Sequence, residues 1–529
     1  MKNLLFIILL ILISVNLNSQ TPDILWTFDV KSTSFGNSCA DDIDGDGKLE
    51  IVFSTYYNDE FIYALNSEDG SILWKYYTKG CNDAAPLIVD VDNDGKKEVL
   101  LHSSSAWKFY CFNGKDGSIK WMINTYGTDS PPSFAKLKNE NKSVVLTGDF
   151  AGILSCYNAV DGSLIWKSQV DTNCTVQSEP VIEDIDNDGD LDCVVGTWSF
   201  SKIYRVSAYR IKDGKRLWTN IQPQGKFYHG ASITDIDSDG KKEVIIGCYD
   251  GVLYCFNGTE GSVKWTFNYP DKSYIAAPTS IADIDGDGLL EIVIIANTKV
   301  GVLSNLGKLK WTYDMGGYQT SFRGPVLSDL NNDNIPDILF GSLAGKLITL
   351  NGITGKEIFN YNFTEVFGKR FDIDHAPLIA DFNSDGLNEI FFIGGYTEYP
   401  AVEKSYGKAY MLSTNQKAGM EWKMFRYNLE RNAVINQKII DLVDSNLDDK
   451  DFINVYFNQN LSQLEISTLN ESDKLKNINI FNSLGQCLII NNSIDVNKFD
   501  IDVSNLNSGV YFINIQGSCI DKTYKFIKI

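Results

Sequence analysis

The sequence predicts an all-β fold, an eight-bladed β-propeller followed by a small β-sandwich. Three observations carry this. An acidic loop recurs at a nearly fixed step. Short β-branched runs flank every copy. Each copy then closes through an Asn-Gly or Asp-Gly turn into a strand that carries a large aromatic residue.

The loop is clearest at Asp42-Ile43-Asp44-Gly45-Asp46-Gly47-Lys48-Leu49-Glu50, followed by Ile51-Val52-Phe53. Acids stand at positions 1, 3, 5 and 9 and glycine at position 6. Alternate carboxylates curl around a hard cation, and glycine allows the sharp turn they need. Full copies follow at Asp90, Asp92, Asp94 and Glu98; at Asp184, Asp186, Asp188 and Asp192; at Asp235, Asp237, Asp239 and Glu243; and at Asp283, Asp285, Asp287 and Glu291. Two copies are weaker: Asp329, Asn331, Asp333 and Asp337, then Asp381, Asn383, Asp385 and Glu389. An eighth slot at Lys136-Leu137-Lys138-Asn139-Glu140 keeps the spacing without the acids. The loops start at 42, 90, 136, 184, 235, 283, 329 and 381, in steps of 46 to 52 residues. An EF-hand would end on Glu at position 12 between helices. Here the last acid is at position 9 and strands follow, such as Val244-Ile245-Ile246.

One copy shows the four strands. Ala85–Val89 leads into the acidic loop, Glu98–His102 and Lys108–Phe112 follow, and Asn113–Gly117 turns into Ser118-Ile119-Lys120-Trp121. Four antiparallel strands per unit, arrayed radially, make a propeller blade. The fourth-strand aromatics are Trp74, Trp121, Trp166, Trp218, Trp265, Trp311 and Phe359. An aromatic at one phase of every blade is expected to pack between blades. Asp23-Ile24-Leu25-Trp26 reads as a stray fourth strand that closes the ring, with Gly419–Phe425 around Trp422 as a second candidate.

The formal charge of -21 argues against nucleic acid as a partner. The seven acidic loops hold 26 carboxylates, and seven divalent cations would bring the charge to -7. Residues 1–20 combine one lysine, an apolar run and a polar exit, the pattern of a secretory signal peptide. No later stretch is long and apolar enough for a membrane span. Most of the ten cysteines fall at core phases and are expected to stay reduced. Cys487 with Cys519 is the pair to test for a disulfide.

The loops resemble the calcium-binding FG-GAP/VCBS repeats of integrin-type propellers. The Asp116–Trp121, Asp69–Trp74 and Asp161–Trp166 strands resemble quinoprotein-like propeller repeats. The resemblance covers roughly 23–427 and implies Ca²⁺ at the seven acidic loops. Propellers host many activities, so it implies little about function.

The propeller is therefore expected over 21–427, and the polar stretch 428–450 reads as a linker. Alternating strands follow over 451–529, a small sandwich. Its stretches Ile480–Gln486, Ile501–Leu506, Ser508–Ile513 and Lys525–Lys528 resemble the C-terminal sorting domain of the type IX secretion system, although the family's early Asn-Pro is replaced by Asn458-Gln459. The resemblance implies the type IX machinery as a partner and delivery to the cell surface or medium.

No Ser/His/Asp order, zinc spacing or phosphate-cradling loop emerges. One regularity points to a ligand site. Six residues before the acidic loops stand His229, Arg323 and His375, where other copies have Gly36, Ala84, Ser178 and Ala277. This phase lies at the channel mouth opposite the acidic loops. Lys369, Arg370, Trp198 and Tyr249 are near it in the repeat. Such a set favours carboxylates or sulfates, and aromatic rings favour sugar faces. The expected function is a calcium-binding surface module for a glycan or protein ligand. The alternatives are a calcium-dependent polysaccharide lyase using His229, His375, Arg323 and Lys369, and a structural role in an extracellular matrix.

Overall fold

Alternating apolar residues and tight turns give almost entirely strands. The computed structural model describes residues 22–137, 142–317, 319–431 and 433–435 of a first unit, and most of 453–528 of a second. The signal-peptide stretch, residues 138–141, which take in the end of the acid-free slot, and residues 436–452 lie outside the described residues.

Among the described residues, the first unit forms eight four-stranded antiparallel sheets. Sheet one is Ser38–Asp41, Glu50–Ser54, Phe61–Asn66 and Ile72–Tyr77, hydrogen-bonded in that order. Sheets two to seven repeat this order, starting at Leu87, Ser133, Val181, Ser232, Ser280 and Val326. Sheet eight takes Leu378–Ala380, Leu387–Tyr396 and Tyr406–Lys417 from the end of the unit and Ile24–Val30 from its start. Thr27 faces Tyr410 and Phe28 faces Ala409 in that last pairing. The Trp26 strand thus closes the ring, and the propeller needs no open edge there.

The fourth-strand tryptophans pack between sheets as expected. Six donate the indole N–H to a carbonyl of the next repeat: Trp26 to Ser67, Trp74 to Gly114, Trp121 to Ala159, Trp166 to Ile211, Trp218 to Gly258 and Trp311 to Gly352, at 2.5–3.0 Å. The turn glycine of the next repeat lies flat on the same ring. A Cβ at Gly117 would sit 2.6 Å from Trp74, and one at Gly261 2.3 Å from Trp218. Both glycines have φ near +68°, so only glycine meets the turn and the ring together.

The segment around Trp422 does something the sequence did not suggest. It runs through the middle of the propeller. Trp422 exchanges backbone hydrogen bonds with Ile379, the Lys423 carbonyl accepts from Ala40, and Leu429, Glu430 and Ala433 accept from Phe134, Ile182 and Ile281. The Met420 carbonyl accepts from Ser328, Arg431 donates to the Pro86 carbonyl, and Arg426 donates to Gly230. These partners lie on or just before the innermost strand of all eight sheets, which only an axial segment can reach. The unit accordingly extends to Ile435, and residues 428–431 and 433–435 belong to its plug rather than to a linker. Composition misled because the plug is polar, while most of its partners are backbone N–H and C=O groups that sequence does not mark.

The second unit has one three-stranded sheet, Ile453–Asn458, Gln463–Thr468 and Lys498–Asp502. Its other sheet is four-stranded, ordered Cys487–Val496, Leu475–Asn482, Gly509–Gly517 and Asp521–Lys528. Ile466 and Ile501 of the first meet Ile478, Ile480, Ile513 and Ile515 of the second in one core, a sandwich. Cys519 lies outside the described residues, so the Cys487 pairing does too. The eight cysteines of the propeller are free and buried.

Candidate functional site

Two sets of side chains carry chemistry, at opposite ends of the innermost strands. The first is the acidic loops. In all seven, position 6 has positive φ: Gly47, Gly95, Gly189, Gly240, Gly288 and Gly386 at 84–89°, and Asn334 at 64°. That conformation turns its N–H onto the position 1 carboxylate, at 2.8–3.0 Å from Gly47 to Asp42 through Gly386 to Asp381. The position 9 acid accepts from the N–H of position 2, as Glu50 does from Ile43 at 2.9 Å and Glu389 from Phe382 at 2.8 Å. The backbone thus fixes the first and last carboxylates, and the acids between them converge.

In five loops, oxygens from at least three acids lie within 4.8 Å of one another. They are Asp42, Asp44 and Glu50; Asp90, Asp92 and Asp94; Asp184, Asp186 and Asp192; Asp235, Asp237 and Asp239; and Asp283, Asp285, Asp287 and Glu291. Such clusters could hold a metal ion, and an all-oxygen carboxylate set suits a hard one. In the two Asn-bearing loops, the Asn331 amide donates to Asp337 at 3.2 Å and the Asn383 amide to Glu389 at 3.1 Å. Burial, then the neighbouring acids, pushes Glu50 up to about 7 and Asp192 up to about 8.

The second set is at the mouth. His229, Arg323 and His375 are there, but they are buried, at 5%, 6% and 2% exposed. His229 Nδ1 stands 3.5 Å from Glu179, and its ring packs on Phe425 of the plug. Glu179 also pairs with Arg426 at 3.1 Å. Burial raises Glu179, yet Arg426 and His229 more than offset this and hold it down to about 2. Burial pushes the His229 imidazole down, and with Arg323 it pushes His375 down to about 3. Phe425 of the plug covers the His229 ring and Phe391 packs on the His375 ring, so neither is a surface contact. Lys369 and Arg370 are engaged elsewhere: Lys369 lies over Tyr406, and Arg370 grips Asp372 at 2.9 and 2.7 Å while covering Tyr396. Among the described residues no contact joins them to Arg323.

What surrounds Arg323 is acid. Asp374 is 4.0 Å away, and Asp83 and Asp129 act on it electrostatically. Burial works against the Arg323 charge, but Tyr228 and these three carboxylates more than compensate and keep it protonated. Burial, followed by the Asp129 charge, holds Asp83 well above the usual carboxylate range. Gln177 donates to Asp129 at 3.0 Å. Asp83, Gln177, Tyr228 and Asp374 stand seven residues before an acidic loop and Asp129 seven before the acid-free slot, one position earlier than the phase of the histidines. That adjacent phase was the readable signal.

An aromatic wall flanks this acidic floor. Trp198 meets Tyr228 at 5.9 Å and Tyr249 at 5.2 Å, and Tyr249 stacks on Tyr274, which stacks on Phe322. These rings are part-exposed. Trp198 and Tyr249 are therefore at the mouth as expected, with Lys226 over Trp198 at 4.3 Å.

Comparisons with known proteins agree with this architecture. Residues 450–529 match the secretion system C-terminal sorting domain, 205–281 the lambda-carrageenase beta-propeller domain, and 42–101 and 283–340 the FG-GAP-like repeat. The outer membrane protein assembly factor BamB of Yersinia pestis is 24% identical over 194 residues, covering 33% of this chain; the chain spans 45% of that relative's length. Quinohemoprotein alcohol dehydrogenase from Comamonas testosteroni superposes with a TM-score of 0.56 at 13% identity, over 77% of this chain and 78% of that one. Saccharomyces cerevisiae Sqt1 gives 0.54 at 11% identity, over 75% and 100%. At these identities the likeness is one of fold. The chain carries FG-GAP-like repeats in a β-propeller and a type IX sorting domain, which exports it to the cell surface or the extracellular space. No helix of the described residues is long and apolar enough to cross a membrane.

Proposed function

We propose that the protein is an exported, calcium-stabilised binding module whose ligand, a glycan, sits at the propeller mouth. The observation that carries this is the pairing of an acidic floor, Asp83, Asp129 and Asp374 around Arg323, with the part-exposed rings of Trp198, Tyr228, Tyr249, Tyr274 and Phe322. Carboxylates accept hydrogen bonds from sugar hydroxyls, and aromatic faces take the C–H faces of sugar rings. Arg323 already faces these acids and among the described residues no unpaired cation stands beside it, so a neutral glycan fits better than the acidic one that His229, Lys369 and Arg370 suggest. Calcium at the acidic loops is supported by their oxygen-only donors and by the likeness to FG-GAP repeats. An apolar leader at 1–20 fits the same export route.

Calorimetry against neutral and acidic oligosaccharides, with Trp198→Ala and Asp129→Asn beside the unaltered protein, tests the site. Binding of neutral sugars that both substitutions weaken at least tenfold is the expected result. Equal binding by all three proteins removes the mouth as the site.

One observation favours a second reading, in which the mouth does chemistry. Asp83 is buried beside the Asp129 charge, which favours its protonated form, and a carboxyl that keeps its proton next to a second acid can donate it. Release of reducing or unsaturated ends that Asp83→Asn abolishes would establish it.

A further inference from the structure

The seven acidic loops are not equivalent. In sheet two the Lys120 ammonium bonds Asp92 at 2.6 Å and Glu98 at 2.7 Å. In sheet five Lys264 bonds Asp237 at 2.6 Å and Glu243 at 2.8 Å. In sheet six Lys310 bonds Asp285 at 2.5 Å and Glu291 at 2.7 Å, with Asp287 at 3.8 Å. Each lysine takes the same two acids, positions 3 and 9, and each stands one residue before the fourth-strand tryptophan. That phase holds Leu73 in sheet one and Leu217 in sheet four. There Asp44 with Glu50, and Asp186 with Asp192, accept backbone N–H bonds and have no ammonium or guanidinium partner among the described residues.

We infer that Lys120, Lys264 and Lys310 are built-in counter-ions that occupy the cation positions of their own loops, so that an added hard divalent cation goes first to the loops of Asp42 and Asp184. The ammonium is tethered, so its local concentration is far above that of any free ion. It donates to the two acids a cation would bridge, and both cannot hold the same place. A methylene stem emerging beside the tryptophan sets its reach, which Leu73 and Leu217 lack any group to imitate. The loops of sheets one and four, like that of sheet six, offer position 1, 3 and 9 oxygens together within 4.8 Å, but among the described residues no side-chain cation reaches their position 3 and 9 acids.

The inference rests on calcium uptake by the acidic loops, and the experiment separates the two. Equilibrium dialysis of the purified full chain against calcium measures bound equivalents for the unaltered protein and for Lys120→Gln, Lys264→Gln and Lys310→Gln. Each substitution is expected to add about one equivalent, and Asp44→Asn and Asp186→Asn each to remove one. Unchanged stoichiometry in folded lysine variants overturns the proposal. Amine acetylation of the unaltered protein, mapped by mass spectrometry, is independent of how the variants fold. Lys120, Lys264 and Lys310 should react several-fold more slowly than the exposed Lys115 and Lys272, with or without calcium. Equal reactivity, or reactivity that calcium raises at these three, overturns the counter-ion role. No calcium bound by any variant, with the three lysines still protected, removes the calcium reading and leaves the counter-ions standing.

Discussion

The Trp26 indole donates to the Ser67 carbonyl at 2.8 Å, joining the Ile24–Val30 strand to a turn forty-one residues on. Trp26 belongs to sheet eight and Ser67 to sheet one, so this bond spans the seam of the ring. Ser67 Oγ returns the contact by donating to Phe382 at 2.7 Å. Trp26→Ala is expected to cost about 2–4 kcal/mol through lost packing and the cavity left behind. Urea unfolding followed by intrinsic fluorescence measures it. A loss no greater than that of an exposed substitution would show that the seam does not limit stability.

His102 gives a pH prediction. It is fully buried, stacks on Phe109 with centroids 4.0 Å apart, and burial pushes it down to about 3. A base with a depressed folded pKa contributes stability that is complete above its unfolded value of about 6.5 and is lost as pH falls toward 3. The slope within that window is about 1.4 kcal/mol per pH unit for each such histidine. His102→Phe should flatten the acid limb of a stability–pH curve. An unchanged limb means the ring is not held neutral.

Calcium should raise the melting temperature, because a ligand that binds only the folded chain stabilises it by mass action. Extracellular sites of this kind work at about 10⁻⁴–10⁻³ M. Differential scanning calorimetry in chelator and in millimolar calcium is expected to differ by several degrees. Identical traces would remove the metal from the fold's energetics.

Arg431 is fully buried in the plug and donates to Pro86 at 3.0 Å and to Phe425 at 2.5 Å. Arg431→Ala leaves those carbonyls without a donor and opens a void, at a cost of about 3–5 kcal/mol. Arg431→Lys should recover only part, since one ammonium cannot reproduce the guanidinium fork. Thermal melts of the two variants rank them.

Deleting 451–529 should leave the propeller folded and keep the protein inside the cell, because the sorting domain has its own core. Fractionation of producing cells shows where the truncated chain goes, and normal surface delivery would contradict the assignment.

The acidic loops and blade strands were legible because each is local, its information lying within about fifty residues. The Lys-Trp dipeptides at 120, 264 and 310 were equally visible, but their meaning needed the loop and the fourth strand in one frame. The mouth was half legible: the rotation brought Trp198 near Tyr249, yet His229 and His375 proved to be interior residues. Phe425 of the plug covers His229 and Phe391 covers His375, and Arg426 and Arg431 announce their carbonyl partners no better, because carbonyl oxygens are present everywhere.

A ring of repeats that touch only their neighbours behaves like a bracelet: a weak link opens where it is and the rest stays closed. The axial segment makes this one a wheel. Since 420–435 reaches the inner strand of every sheet, a lesion in any spoke is transmitted to the hub and from there to the far rim. Unfolding is therefore one event rather than a series, and tolerance to mutation is pooled across repeats instead of being held by each.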